Sequence, residues 1–331
     1  MADVAEGGPA LKRSFGIVGA VLVILIAVFF LGPRPEADDT VSFDPSAIPE
    51  DIEGWLAASE SRINGIIPGA EKEIIWADPQ SKAKTPVAVI YLHGFSATKY
   101  ETRPLSEMVA RELGANLFYT RLSGHGQSGE ALASASVNDW INDTAEAIAV
   151  GKRLGERVLI IGTSTGATLA TWALSKPELV DGVEAVAFIS PNYAVQGVTI
   201  GMLTMPWAET ILPMIAGKTR SWEPANEAQG KWWTTSYPSK AVICMGALLK
   251  LVSKVDKSKI ETPALFIYSP DDQVVVPQAA REVAAMWGGP VQLVEVTEAS
   301  DRSSHVLAGD ILSPGTTGRV ANDIVSWWNA L

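Results

Sequence analysis

Cysteine and positive charge are both scarce in this 331-residue chain. The single cysteine, Cys244, excludes an internal disulfide, and its apolar neighbours are typical of a small core residue. The 26 lysines and arginines are outnumbered by 37 acidic residues, which gives a formal net charge of −11. This balance argues against a nucleic-acid-binding protein and against a polybasic surface for lipid headgroups.

Histidine is also rare, because His93, His125 and His305 are the only three in the chain. Their spacing matches no compact zinc pattern, and the sequence contains no H-E-x-x-H motif and no paired cysteines. We therefore predict no metal site. We also predict no organic cofactor.

A long apolar run without charge extends from residue 15 to residue 31. As a helix with ~1.5 Å rise per residue it reaches about 25 Å, close to the ~30 Å hydrocarbon core of a bilayer. Lys12 and Arg13 precede it, and the positive-inside rule then keeps the N-terminus in the cytoplasm. We predict a cytoplasmic segment at 1–14 and a transmembrane anchor at 15–32, with the remaining chain in the periplasm or outside the cell. A cleaved signal peptide is the alternative, although no small-x-small cleavage site follows.

The chain after the anchor divides into a short segment and one large domain. Residues 33–70 are rich in proline and acidic residues, which predicts a linker with a short helix near 52–63. From 71 to 331, apolar strand-like runs alternate with helical stretches, which predicts a mostly parallel sheet with helices on both faces. The stretch between Ile189 and Pro263 is too long for one crossover, so it contains an insertion.

The most informative motif is Gly162-Thr163-Ser164-Thr165-Gly166, which spells G-x-S-x-G directly after the apolar run 157–161. This order predicts a strand, a sharp turn and a helix, with the serine hydroxyl above the sheet edge and small residues on both sides of the turn. A serine hydroxyl becomes a nucleophile when a base removes its proton and another group holds that base.

A base and an acid follow Ser164 in the chain order serine, acid, histidine. His305 is the one histidine downstream of Ser164. The apolar run 263–268 leads into Asp271 and Asp272, and a carboxylate just past the carboxyl end of a strand can orient an imidazole. The residues alone leave both aspartates open as the orienting acid.

With these motifs the chain resembles the α/β-hydrolase superfamily, in particular its bacterial esterase, monoacylglycerol-lipase and lysophospholipase-like serine hydrolases. The resemblance spans roughly residues 72 to 330. It rests on five segments in the expected order, which are Leu92–Phe95, Gly124–Gly129, Gly162–Gly166, Ser269–Val275 and Ser304–Leu307. It implies an α/β-hydrolase fold for residues 71–331, with the insertion forming a cap at about 192–260.

The same resemblance implies a carboxylic ester hydrolase with a catalytic triad. Ser164 would be the nucleophile and His305 the general base and then acid. Members of the superfamily usually place the acid ahead of a segment similar to 273–275, which favours Asp272 and leaves Asp271 as a turn residue. A serine at the nucleophile position argues against dehalogenases and epoxide hydrolases, which carry aspartate there.

The resemblance also implies where the substrate binds. The backbone amides of Phe95 and Thr165 would form the oxyanion hole. The cap would supply an apolar surface for an acyl group, with contacts drawn from Met202, Met205, Trp207 and Trp233. The implied substrates are small-molecule or lipid esters, such as medium acyl esters, monoacylglycerols or lysophospholipids. Thioesterase, peptidase and acyltransferase activities use the same triad and stay open, and a non-enzymatic ligand-binding protein is the rival from another class.

Overall fold

The computed structural model describes the backbone of residues 9–331 and the side chains from residue 17 onward. Helix α1 (Pro9–Phe30) occupies the segment in which an anchor was expected. Over the described residues, no helix combines the length and apolar character needed to cross a membrane. The transmembrane anchor predicted over 15–32 is therefore not supported.

The described chain contains nine strands and thirteen α-helices. The strands are β1 (Glu73–Ile75), β2 (Thr85–Leu92), β3 (Asn116–Tyr119), β4 (Gly155–Thr163), β5 (Val183–Ile189), β6 (Thr219–Ser221), β7 (Ser236–Pro238), β8 (Ala264–Tyr268) and β9 (Val291–Glu295). After α1, the helices are α2 (Ile52–Glu60), α3 (Leu105–Glu112), α4 (Gly129–Ser134), α5 (Val137–Leu154), α6 (Thr165–Leu174), α7 (Pro177–Val180), α8 (Ile200–Leu203), α9 (Ala208–Ala216), α10 (Glu227–Trp232), α11 (Val242–Ser253), α12 (Pro277–Met286) and α13 (Pro314–Trp328).

Seven of the strands form one twisted sheet in the order β1-β3-β2-β4-β5-β8-β9. Strand β1 runs antiparallel to β3, and the other neighbours in this sheet are parallel. The mostly parallel sheet predicted from the sequence is therefore confirmed. Because the carboxyl ends of parallel strands share one edge, side chains from the loops after β2, β4 and β8 meet there.

Helices cover both faces of this sheet, as predicted. Along β2 the side chains alternate between two cores with the period of two that a strand imposes. Val87, Val89 and Tyr91 belong to the core that includes α3 and α13. The intervening residues of β2 belong to the larger core, which includes α5, α6 and α12. Both faces are thus buried, which explains why the strands are almost continuously apolar.

The insertion between β5 and β8 contains α8 to α11 and the two-stranded sheet β6-β7. The cap predicted at about 192–260 lies within this insertion. Helix α11 packs closely against α8, because a Cβ atom placed on Gly246 would lie 2.3 Å from the Cβ atom of Leu203. The insertion therefore forms a packed layer rather than a loose loop.

The segment 33–70 contains the predicted short helix, α2, and also contributes to the core of the large domain. Ile48, Ile52 and Leu56 are buried in the larger of the two cores. Glu60, at the end of α2, forms a buried ion pair with Arg121 at 2.8 Å. These contacts attach the segment firmly to the hydrolase domain.

Candidate active site

Ser164 lies at the sharp turn between β4 and α6, with φ 51° and ψ −114°. A positive φ is strained for a residue with a side chain, and such strain is typical of functional turns. A Cβ atom on Gly166 would lie 2.0 Å from the carbonyl oxygen of Leu92, and one on Gly162 would lie 3.0 Å from Ala167. The close approach of the backbone thus requires the two glycines of the motif.

Asp272 and His305 are joined by a hydrogen bond of 2.8 Å between Oδ2 and Nδ1. Asp272 is nearly fully buried, and its other oxygen accepts from the amides of Val274 and Val275 at 2.8 and 2.9 Å. Asp271 is exposed, and its amide donates to the side chain of Ser269. The structure therefore brings Asp272, and not Asp271, to the imidazole.

The surroundings of His305 favour its protonated form. Burial acts to lower the pKa of His305, but the hydrogen bond and charge of Asp272 and the charges of Glu101 and Asp301 together outweigh it. The net result is a pKa raised from the ordinary value of 6.5. With Nδ1–H donated to Asp272, Nε2 is left to accept a proton. His305 and Ser164 line the same cavity.

Asp301 holds the backbone of the loop that carries His305. Its carboxylate accepts from the amide of His305 at 3.0 Å and from the amide of Val306 at 2.9 Å, and from the hydroxyl of Ser303 at 2.6 Å. The motifs gave no indication of this role, since Asp301 belongs to no recognised pattern. Its position four residues before His305 in a tight loop is the one local signal.

The two predicted oxyanion donors lie at the carboxyl edge of the sheet. Phe95 follows β2, and Thr165 is the first residue of α6, where backbone amides point out of the helix and favour negative charge. Within the part of the chain that the structure describes, neither amide donates to another protein group. Both amides are thus available to a ligand beside Ser164.

His93 fixes the residue 93–98 segment, termed here the oxyanion loop, to the loop after β3. Its Nδ1 lies 2.9 Å from the carbonyl oxygen of Gly94, and its Nε2 accepts from the amide of Leu122 at 3.1 Å. Burial lowers the pKa of His93 to about 4, so the ring is neutral at pH 7. The ring of His125 packs against that of His93 with centroids 4.9 Å apart. Both histidines thus support the loop and leave the base role to His305.

A cavity of about 940 Å³ lies over Ser164 and His305, with the cap as its outer wall. Of the predicted cap contacts, Met202, Met205 and Trp233 line it. The cavity is also lined by residues outside the four predicted contacts, notably Glu101, Leu212, Tyr237, Met245 and the exposed Arg220. Most of the wall is apolar, which suits an alkyl or acyl group.

Trp207 is not among the residues that line this cavity. Its backbone has φ 62° at the start of α9, and its amide donates to the carbonyl of Pro33 at 2.7 Å. Its indole nitrogen donates to the carbonyl of Val28 at 3.2 Å. The backbone turn therefore directs Trp207 to the N-terminal segment, which a count of aromatic residues does not reveal.

No group of three or more histidine, cysteine or acidic side chains suited to a metal ion occurs among the described residues.

Ser164 lies on a strained turn at the carboxyl edge of a mostly parallel sheet and lines the same cavity as His305, whose imidazole is bound by Asp272. These features define the protein as an α/β-hydrolase. The chain belongs to the family described as serine aminopeptidase, S33, whose sequence profile matches residues 83–300. It is similar to a thermostable monoacylglycerol lipase of Bacillus sp. (strain H-257), with 27% identity over 201 residues, 61% of this chain and 76% of the relative.

Solved structures have the same fold at lower identity. One from the metagenome-derived lipolytic enzymes LipS and LipT aligns with TM-score 0.65 and 19% identity, covering 80% of this chain and 100% of that chain. A soluble variant of the Saccharomyces cerevisiae monoglyceride lipase aligns with TM-score 0.58 and 13% identity, covering 78% and 90%. The site, the family and the Bacillus relative identify the chain as a carboxylic ester hydrolase.

Proposed function

We propose that this hydrolase cleaves medium acyl esters, monoacylglycerols or lysophospholipid-like esters through an acyl-enzyme on Ser164. The observation that carries the proposal is the buried hydrogen bond between Asp272 and His305, together with the cavity that His305 and Ser164 both line. A buried carboxylate holds the imidazole in one tautomer, so that Nε2 is free to accept the serine proton.

In the first half of the reaction, Ser164 Oγ attacks the ester carbonyl carbon while His305 Nε2 takes the hydroxyl proton. The negative charge on the former carbonyl oxygen is stabilised by the amides of Phe95 and Thr165, typically by about 3 kcal/mol per donor. Asp272 stabilises the imidazolium. The imidazolium then gives its proton to the departing alkoxide, which leaves as an alcohol.

In the second half, water replaces the alcohol. His305 accepts a proton from the water as its oxygen attacks the acyl carbon, and the same two amides hold the oxyanion. The bond to Ser164 Oγ breaks, and His305 returns the proton to the serine. The products are the carboxylic acid and the free enzyme.

The choice of substrate class rests on the cavity and on the relatives. The wall that Met202, Met205 and Trp233 contribute is apolar and adaptable, which supports an acyl or alkyl chain. The Bacillus relative is a monoacylglycerol lipase, which supports the same class of substrate. Peptidase, thioesterase and acyltransferase activities are the alternatives, and the family description names an aminopeptidase.

Hydrolysis of p-nitrophenyl esters from acetate to palmitate tests the proposal on the full chain. We expect turnover by the wild type, a loss of about 10⁴-fold or more in Ser164→Ala, and near wild-type activity in Ser175→Ala. Ser175 caps the far end of α6, so its hydroxyl is a matched control. An inert wild type that cleaves the corresponding anilides or thioesters would contradict the ester proposal.

We propose separately that the catalytic domain lies outside the cytoplasm. This proposal rests on the sequence alone, because Lys12 and Arg13 precede the apolar run 15–31, and a basic segment followed by an apolar run is the order of a secretory signal. A C-terminal alkaline phosphatase fusion is expected to be active in cells. An inactive alkaline phosphatase fusion together with an active cytoplasmic reporter would contradict this location.

A further inference from the structure

Glu101 is a buried carboxylate that the reaction described above does not use. It ends a 3₁₀ turn at Lys99–Glu101, is 3% exposed and lines the cavity that contains Ser164. Lys99 pins this turn through an ion pair of 2.7 Å with Glu73. The carboxylate of Glu101 is therefore held in a fixed place beside the reacting groups.

The oxyanion loop is bound directly to this carboxylate. Glu101 Oε2 accepts from the amide of Gly94 at 2.7 Å and from the hydroxyl of Tyr91 at 3.1 Å. A Cβ atom on Gly94 would lie 2.6 Å from Oε1, so the approach depends on the glycine. Gly94 immediately precedes Phe95, whose amide is the proposed oxyanion donor. The hydrogen bond that fixes the Gly94 peptide therefore also limits the movement of the Phe95 amide.

The loop that carries His305 packs against the same turn. A Cβ atom on Gly309 would lie 2.8 Å from the backbone oxygen of Glu101. Within the described part of the chain, Glu101 forms no ion pair with a lysine or arginine. The positive charge that acts on Glu101 is that of a protonated His305. Asp272 and Asp301 are the other carboxylates whose charges act on the imidazole.

Glu101 and His305 affect each other's ionisation in opposite directions. Burial raises the pKa of Glu101, against the lowering effects of the Gly94 amide, His305 and the Tyr91 hydroxyl. In return, an ionised Glu101 raises the pKa of His305. Since the imidazolium forms in each half of the reaction, a neighbouring negative charge stabilises it when it is needed.

We propose that Glu101 is a positioning residue for ester hydrolysis, whose ionised carboxylate fixes the oxyanion loop and stabilises the imidazolium form of His305. Its role in turnover rests on the function proposed above. Its effect on the charge of His305 is independent of turnover and can be measured directly.

Proton NMR titration of the imidazole rings in the full chain tests the effect on charge, because there are only three histidines. His305→Gln assigns the signal. In Glu101→Gln, which keeps an oxygen acceptor for Gly94 but loses the charge, we expect the pKa of His305 to fall by about 0.5 to 1. Glu184→Gln makes the same charge change at the opposite edge of the sheet, and it should leave the pKa of His305 unchanged. An unchanged pKa in Glu101→Gln overturns the proposal.

The effect on turnover is tested by the pH profile of kcat/KM on a p-nitrophenyl ester. Glu101→Gln is expected to move the acid limb to lower pH and to reduce kcat about tenfold. Glu101→Asp keeps the charge, so it should retain the acid limb while its shorter side chain loses Gly94 and lowers kcat. A Glu101→Gln profile that coincides with the wild type overturns the positioning role.

The outcomes separate this proposal from the proposed function. If the wild type cleaves no ester and the pKa of His305 still falls in Glu101→Gln, the proposed function fails and the electrostatic role of Glu101 stands. If the wild type cleaves esters and the pKa of His305 is unchanged, only the role of Glu101 fails. Carbon NMR of Glu101 in the wild type needs no variant, and a carboxyl that stays protonated through pH 8 overturns the proposal.

Discussion

Asp272 helps to set the pKa of His305, and that pKa determines the pH below which His305 cannot act as a base. A protonated imidazole cannot accept the serine proton, so activity falls as pH drops through the pKa of His305. Because that pKa is raised from 6.5, the midpoint of the acid limb is expected above 6.5. Burial lowers this pKa, and the hydrogen bond and charge of Asp272, together with the charges of Glu101 and Asp301, outweigh it.

Replacing each of the two neighbouring aspartates separates their roles. Asp272→Asn is expected to lower kcat by about 10³- to 10⁴-fold and to move the acid limb to lower pH, because the imidazolium loses its partner. Asp271→Asn removes an exposed carboxylate one residue away and should change kcat less than about twofold. Steady-state kinetics from pH 5 to 9 measure both. Equal losses in the two variants would show that Asp272 is not the orienting acid.

Sequence patterns identify functional residues that lie in a motif or in a characteristic order along the chain. They miss residues whose role depends only on contacts made in the folded protein. Ser164 and His305 follow from a motif and from the scarcity of histidine. Glu101 belongs to no motif, and its importance lies in a contact with Gly94 that depends on burial. Trp207 was expected at the substrate because tryptophan suits an acyl surface, but its positive φ turns it away.

The strand, turn and helix around Ser164 depend on a close approach between β4, α6 and the end of β2. Gly166→Ala places a Cβ atom 2.0 Å from the Leu92 carbonyl oxygen, so the backbone must move. We expect a loss of about 3 kcal/mol in the free energy of unfolding. Gly315→Ala is the control, since a Cβ there meets nothing within 4 Å and α13 gains up to about 1 kcal/mol.

Urea unfolding of the two alanine variants measures both changes in stability. A Gly166→Ala protein as stable as the wild type would mean that the turn relaxes without strain. In that case the requirement for a small residue after the nucleophile would not come from the Leu92 carbonyl.

The strands and helices were predictable where a strong local signal exists. Helix α5 begins at Val137, because the N-cap Ser136 and Asp139 in the first turn form a reciprocal capping box. The helix expected to reach residue 63 ends at Glu60, where the buried pair with Arg121 holds its last turn. Such end points depend on side-chain partners that apolar periodicity does not reveal.

The whole domain includes a segment that composition alone assigned to a linker. Its proline and acidic residues are typical of an exposed connection, yet Ile48, Ile52 and Leu56 are buried. Ile52 and Leu56 are four residues apart on α2 and share one face of it, and this spacing was the available signal for packing, whereas Ile48 precedes the helix in extended backbone. The partner of Glu60, Arg121, lies far along the chain and could not be predicted from the sequence.

The central claim is that the molecule turns over esters through a covalent intermediate on Ser164. The most direct test is intact-protein mass spectrometry after rapid mixing of the full chain with a p-nitrophenyl ester and acid quenching. We expect a single added acyl mass, mapped by peptide digestion to Ser164 and absent in Ser164→Ala. Ester turnover with no acyl adduct in the wild type, or an adduct that persists in Ser164→Ala, would contradict the account.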